Sequence, residues 1–241
     1  MNTDAKGWIK RFGLTNNQLK MIAMISMCLD HVGLELIERD LIFRVIGRLA
    51  FPIFAYMIAE GCRYTQNRAR YLGQLAGLGI GCQVVFFLAT GDLHQGILIT
   101  FSLSVCVIFA IDVFRKHKTA PLFLLMTGTV FVVIFISLIA PWIFKESGFR
   151  VDYDFLGVLL PVLVYYARTK TEKILALSVI LLIMCAVSHV VQWFSLLTIP
   201  LLLLYNGERG KAKMKYVFYI FYPLHLVIIH LIGVLLHMVG A

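Results

Sequence analysis

The sequence predicts an all-α polytopic membrane protein of about nine transmembrane helices, with a cytoplasmic N-terminus and its C-terminus outside. Three observations carry that prediction. Hydrophobic residues make up 60% of the 241-residue chain and charged residues 15%, against about 25% charged in an ordinary soluble domain. Mean hydropathy is +0.87. Apolar runs near the roughly 20 residues that a span requires recur along the whole chain, and basic residues fall in alternate loops between them.

The elements follow in order. Residues 1–17 form a cytoplasmic segment carrying Lys6, Lys10 and Arg11. The first apolar run is long and lacks a small-residue cleavage site, so no cleavable leader is expected. The candidate spans are 18–38, 41–62, 71–90, 96–114, 120–143, 153–167, 172–190, 192–206 and 215–238. The sixth and eighth are short and are expected to tilt or re-enter. The third carries Gly73, Gly77 and Gly81, a small-xxx-small stripe that predicts close helix packing. Pro52, Pro161, Pro200 and Pro223 lie inside spans, where kinks are common.

Loop charge orients the spans. Arg63, Arg68 and Arg70 follow span two, Arg115, Lys116 and Lys118 span four, Arg168, Lys170 and Lys173 span six, and Arg209, Lys211, Lys213 and Lys215 span eight. The opposite loops hold Arg39, Lys145 and Arg150 among Glu38, Asp40, Asp92, Glu146, Asp152 and Asp154. The net charge of +9 is therefore a signature of orientation in a lipid bilayer, not of a nucleic-acid partner. No polar stretch is long enough for a second domain, so 1–241 is expected to be one integral-membrane domain. The five cysteines form no C-x-x-C and lie in apolar runs. They read as small hydrophobes, with neither a disulfide framework nor a metal site.

Ionisable residues inside spans carry the functional signal, because they are costly in lipid. Asp30 and His31 sit in span one, about 15 Å beyond Lys20. Glu35 lies one turn outward on the His31 face. Span two starts outside and carries Arg44 and Arg48, spaced i,i+4; Arg48 reaches about the level of Asp30, and Arg44 lies nearer the outer boundary. Arg48 calls for a carboxylate, either Asp30 or Glu35. Span nine brings His225 in beside Pro223, with Tyr219 and Tyr222 near the kink. His31 beside a carboxylate has the makings of a general base. Neighbours in a helix point about 100° apart, so Asp30 either orients His31 or neutralises Arg48. The inner end of span two has a second cluster, in which Glu60, Arg63, Arg68 and Arg70 interleave with Tyr64 and Tyr71. Guanidinium forks suit phosphate, and the rings suit an adenine.

Three segments carry a resemblance: Met27-Cys-Leu-Asp-His31, Arg44-Val-Ile-Gly-Arg-Leu-Ala-Phe-Pro-Ile-Phe-Ala-Tyr56 and Phe221-Tyr-Pro-Leu-His225. Together they resemble the signature segments of the TraX family over about residues 18–232. That family includes a conjugative-pilus acetylase that caps the pilin N-terminus. The order of features is also similar to wider membrane acyltransferases, with a key histidine in an early span and an acyl-CoA site opening inward. The resemblance implies a membrane-embedded acetyltransferase of the bacterial inner membrane. Acetyl-CoA would be its cosubstrate, and no metal is needed. It implies a catalytic group of His31, Asp30, Arg48 and His225, with Arg44, Glu35 and Tyr222 at the acceptor side. Acetyl-CoA is expected at Glu60, Arg63, Tyr64, Arg68, Arg70 and Tyr71, its pantetheine arm threading between spans one, two and three. The acceptor is an envelope glycan, a lipid-linked sugar or a peptide, and no pilus context is written in this sequence. The chain departs from the family at Gly96, where an Asn is frequent, which bears on acceptor choice.

Two other functional classes compete. A proton-coupled transporter would use Asp30, His31 and Arg48 as a relay. Many transporters contain internal repeats, and none is evident here. A b-type haem protein would use His31, His225 or His189 as ligands.

Overall fold

The computed structural model describes residues 13–37, 40–211 and 215–239. Most of the expected cytoplasmic segment, 1–12, lies outside the described residues, as do Glu38, Arg39 and Lys213. The described chain is almost entirely helical. Each of the nine apolar runs contains helix: α1 (Asn16–Glu35), α2 (Leu41–Gly47) and α3 (Ala50–Tyr64), α4 (Arg68–Thr90), α5 (Ile97–His117), α6 (Ala120–Ile134) and α7 (Ala140–Ile143), α8 (Asp154–Tyr166), α9 (Lys170–Val187), α10 (Thr198–Leu203) and α11 (Lys215–Val239). Among the described residues, five stretches are long and apolar enough to cross a membrane: Leu41–Tyr64, Arg68–Thr90, Ile97–His117, Ala120–Ile143 and Val217–Leu236. Asp154–Tyr166 and Val190–Leu203 are shorter apolar helices.

Local chemistry sets the helix ends. α1 begins with a capping box: Thr15 accepts from the Gln18 amide while the Gln18 side chain accepts from the Thr15 amide at 2.8 Å. Asp40 caps α2 through the Ile42 amide at 2.7 Å, and Asn67 caps α4 through the Arg70 amide at 2.8 Å. Gly91 ends α4 in the left-handed region at φ 72°. Between α6 and α7 the backbone widens to a π-helix over Phe135–Ile139. Pro141 has no amide to offer the carbonyl one turn earlier, and the wider turn absorbs the missing bond. The eighth run is irregular: a 3-10 helix over Val190–Leu197 precedes α10.

The described chain divides into two compact units. Residues up to Met57 and from Leu177 onward form the first, and Ile58–Ala176 form the second. In the first unit, Leu19, Ala23, Ile53, Leu177, Leu181 and Leu202 are fully buried, and the Tyr56 and Tyr205 rings meet edge-on with centroids 5.9 Å apart. In the second, α5 packs on α8 around Val105, Ile108, Leu160 and Val164. Ser104 Oγ donates across that seam to the Val158 carbonyl at 2.9 Å.

One expectation about packing is overturned. An added Cβ at Gly73, Gly77 or Gly81 meets nothing within 4 Å among the described residues. Among the described residues of its own unit, the stripe in α4 therefore closes on no other helix. The glycines that permit close approach are others. A Cβ on Gly33 would collide with Phe43 of α2, one on Gly61 with the Tyr71 hydroxyl, and one on Gly79 with Leu98 and Ile99 of α5. Spacing alone cannot tell a helix face turned to lipid from one turned to protein.

Candidate functional site

The first unit gathers the polar residues of the apolar runs on two faces of α1. Asp30 and Gly33 share the face against α2. Lys20, His31 and Glu35 share the face against α11. This follows from the turn of about 100° per residue, which sends sequence neighbours Asp30 and His31 to different partners.

On the first face, Asp30 Oδ1 lies 3.3 Å from Arg44 Nη1 and 3.5 Å from Arg48 Nη2. Arg44 Nη1 also donates to Asp30 Oδ2 at 3.3 Å. Arg48 stands in the turn between α2 and α3, and its Nη1 donates to Oε1 of the buried Gln192 at 3.5 Å. Gln192 is a partner that sequence reasoning missed. A polar side chain in a short apolar run was the available signal. Gly47 makes the approach possible, because a Cβ there would overlap the Asp30 carboxylate. We expect Gly47→Ala to cost about 1–3 kcal/mol by overpacking, read as a lowered thermal midpoint of the detergent-purified protein. An unchanged midpoint would mean that α2 can move away freely.

On the second face, the His31 and His225 rings meet edge-on, with centroids 5.2 Å apart and planes at 80°. Each imidazole is tied to its own helix one turn back. His31 Nδ1 donates to the Met27 carbonyl at 2.8 Å and His225 Nδ1 to the Phe221 carbonyl at 2.9 Å. A carbonyl only accepts, so Nδ1 carries the hydrogen and, in the neutral rings, both Nε2 atoms hold lone pairs. His225 is buried, stacks on Phe221 at 4.6 Å and has Tyr222 edge-on at 5.7 Å. Pro223, two residues before His225, lies inside α11 and has no amide hydrogen to donate. Further along the seam Glu35 Oε2 lies 3.7 Å from His230 Nδ1. Glu35 therefore serves neither Arg48 nor the His31 ring. The alternative left open by the sequence resolves geometrically: Asp30 faces the arginines, and the Met27 carbonyl, not a carboxylate, holds the His31 tautomer.

The second unit contains the basic cluster. Glu60 is buried and pairs with Lys173 at 2.5 Å. Arg63 donates to the carbonyls of Tyr165 and of Ala167 (2.8 Å for the latter), satisfying the end of α8. Arg68 Nη2 meets Asp112 Oδ2 at 2.6 Å and lies over the Phe109 ring. Tyr165 and Tyr166 donate to the same carboxylate at 2.6 and 3.0 Å. Asp112 is the largest omission of sequence reasoning. Its signal was a lone carboxylate in the apolar run Phe109-Ala-Ile-Asp-Val-Phe114. Tyr71 packs its hydroxyl against Gly61. Of the six residues expected to meet a nucleotide, Tyr64 and Arg70 present exposed side chains that are not tied into the pairs described above. No cluster of three or more His, Cys, Asp or Glu suited to a metal exists among the described residues.

A family model described as TraX protein matches residues 15–233. The chain is 26% identical over 245 residues to a probable fimbrial assembly protein FimC, serogroup H1, of Dichelobacter nodosus, covering 88% of this chain and 93% of that protein. It is 30% identical over 191 residues to the uncharacterized protein RP591 of Rickettsia prowazekii (strain Madrid E), covering 78% and 69%. It is 31% identical over 111 residues to the protein TraX of Escherichia coli, covering 45% and 44%. No solved structure matches. The family match includes Asp30, His31, Arg44, Arg48 and His225, and spans nearly all of the chain: this protein belongs to the TraX family.

Proposed function

We propose that this chain is an acetyltransferase of the bacterial inner membrane, crossing it about nine times with a cytoplasmic N-terminus. It would move an acetyl group from cytoplasmic acetyl-CoA to an amine or hydroxyl at the outer side. The observation that supports this best is the His31 imidazole. Its Nδ1–H is held by the Met27 carbonyl, so the Nε2 lone pair is free to act as a base without any carboxylate behind it. His31 takes the proton of the attacking N–H or O–H, the nucleophile adds to the thioester carbonyl, the C–S bond breaks, and the proton passes to the departing thiolate. Arg48 or Tyr222 would stabilise the oxyanion. A neutral His225 presents a lone pair, so it relays a proton and does not donate to the oxyanion. The name of the Dichelobacter relative, a fimbrial assembly protein, puts a pilin-type peptide amine first among acceptors to test, ahead of glycan hydroxyls and lipid-linked sugars.

In this proposal Arg70 and Tyr64 meet the phosphates and adenine, while Glu60, Arg63, Arg68 and Tyr71 hold the surrounding helices. CoA should raise the thermal midpoint of the purified protein, and simple solutes should not. Arg70→Gln should keep the midpoint and raise the apparent Kd for CoA about tenfold, as expected for losing one charged hydrogen bond. No stabilisation by CoA at millimolar concentration would count against the enzyme and for the transporter. Mass spectrometry of envelope material from a deletion strain, searching for a lost acetyl mass, identifies the acceptor.

A further inference from the structure

The face of α1 turned to α2 carries an imbalance of charge. Arg44 and Arg48 bring two cations, and Asp30 is the single anion paired with them among the described residues. Glu35 is paired on the other face with His230. Gln192, which accepts from Arg48, is neutral. One positive charge is therefore left over in a setting where uncompensated charge is costly. Both ion-pair distances are long for charge-assisted bonds, which prefer about 2.7–2.9 Å. Asp30 Oδ1 lies within ion-pair distance of both forks yet accepts no hydrogen bond among the described residues, while Oδ2 accepts from Arg44. Arg48 Nε is buried and without a hydrogen-bond partner among the described residues. The helix also tightens here into a two-residue turn: α2 ends at Gly47, and α3 resumes at Ala50. Beside it stands the 3-10 segment that carries Gln192. Irregular backbone inside membranes is tolerated where it lines a site. The Arg44 side chain is 28% exposed, so the pair can be reached.

We propose that Arg44 and Arg48 together bind one monoanionic oxygen group, a carboxylate or a phosphodiester. Such a group neutralises the excess charge and offers two oxygens to two guanidinium forks, the geometry that arginine matches best. The group comes either from a membrane phospholipid headgroup or from the molecule that the chain acts upon. The inference stands whether or not the chain transfers acetyl groups, since it rests on the arginines and not on His31.

The test uses the full chain in an uncharged detergent at constant ionic strength. The probes are dihexanoyl phosphatidylglycerol and hexanoate, with zwitterionic dihexanoyl phosphatidylcholine as the control. Saturable thermal stabilisation by either anionic probe and none by the control is expected. Arg44→Gln leaves a balanced Asp30–Arg48 pair, so it should fold and bind the anion at least about tenfold more weakly. Asp30→Asn removes the competing carboxylate and should bind it about tenfold more tightly, each tenfold being about 1.4 kcal/mol. Native mass spectrometry after delipidation separates the sources. Anionic phospholipid retained by the wild type and lost from Arg44→Gln points to a headgroup. Probe binding with no retained lipid points to a group on the substrate. Equal responses of wild type and Arg44→Gln, or of anionic and zwitterionic probes, would overturn the proposal. Should Arg44→Gln fail to fold, an Asp30→Asn protein that binds no more tightly than wild type overturns it as well.

Discussion

His31→Ala is expected to lower acetyl transfer by about 10²–10⁴-fold, the usual contribution of a positioned general base. The variant should fold, because its partners, the Met27 carbonyl and the edge of the His225 ring, are not ionised groups left bare by its removal. Two measurements separate chemistry from folding: the thermal midpoint and the stabilisation by CoA, both of which should persist. His31→Gln sharpens the test, since it can keep a donor near the Met27 carbonyl while removing the basic lone pair. A purified, folded His31→Ala protein that transfers acetyl at the wild-type rate would exclude both direct base catalysis and an acyl-histidine route.

The second large effect concerns stability. Glu60 and Lys173 form a buried pair, with side chains 4% and 11% exposed. Glu60→Ala should cost about 3–5 kcal/mol, because it leaves an ammonium in an apolar setting without its counter-ion. The double replacement Glu60→Leu with Lys173→Met removes both charges and should recover most of that loss. Chemical or thermal denaturation in detergent reads both. If instead Glu60→Ala spares stability and abolishes stabilisation by CoA, the residue belongs to the nucleotide site and the pair is incidental. The same logic applies to Arg63 and Arg68, whose bonds to the end of α8 and to Asp112 are those of struts.

Much of the site was legible in the sequence because lipid makes polar residues conspicuous. Asp30, His31, Arg44, Arg48 and His225 stand out in apolar runs, and helical rise alone predicts a similar depth for all of them but Arg44. The same reasoning failed at Asp112, where the carboxylate sits close to the basic end of its run and reads as part of the loop. It also failed at glycine. Gly73, Gly77 and Gly81 have the right spacing for packing yet face open space, whereas the isolated Gly33 and Gly47 bring α1 and α2 together. A contact needs two surfaces, and a spacing pattern describes one.

What the sequence determined by itself was the membrane class, the runs that become helices, the family and the short roster of costly residues. Each follows from local composition and the free energy of placing polar groups in lipid. What only the tertiary structure decided was pairing. Asp30 went to two arginines and His31 to a backbone carbonyl and a second imidazole, because the rotation of α1 presents them to different helices. Arg63 and Arg68 turned inward to a helix end and a hidden carboxylate. Which partner a charge finds depends on the orientation of helices far apart in the chain, and no local pattern encodes that.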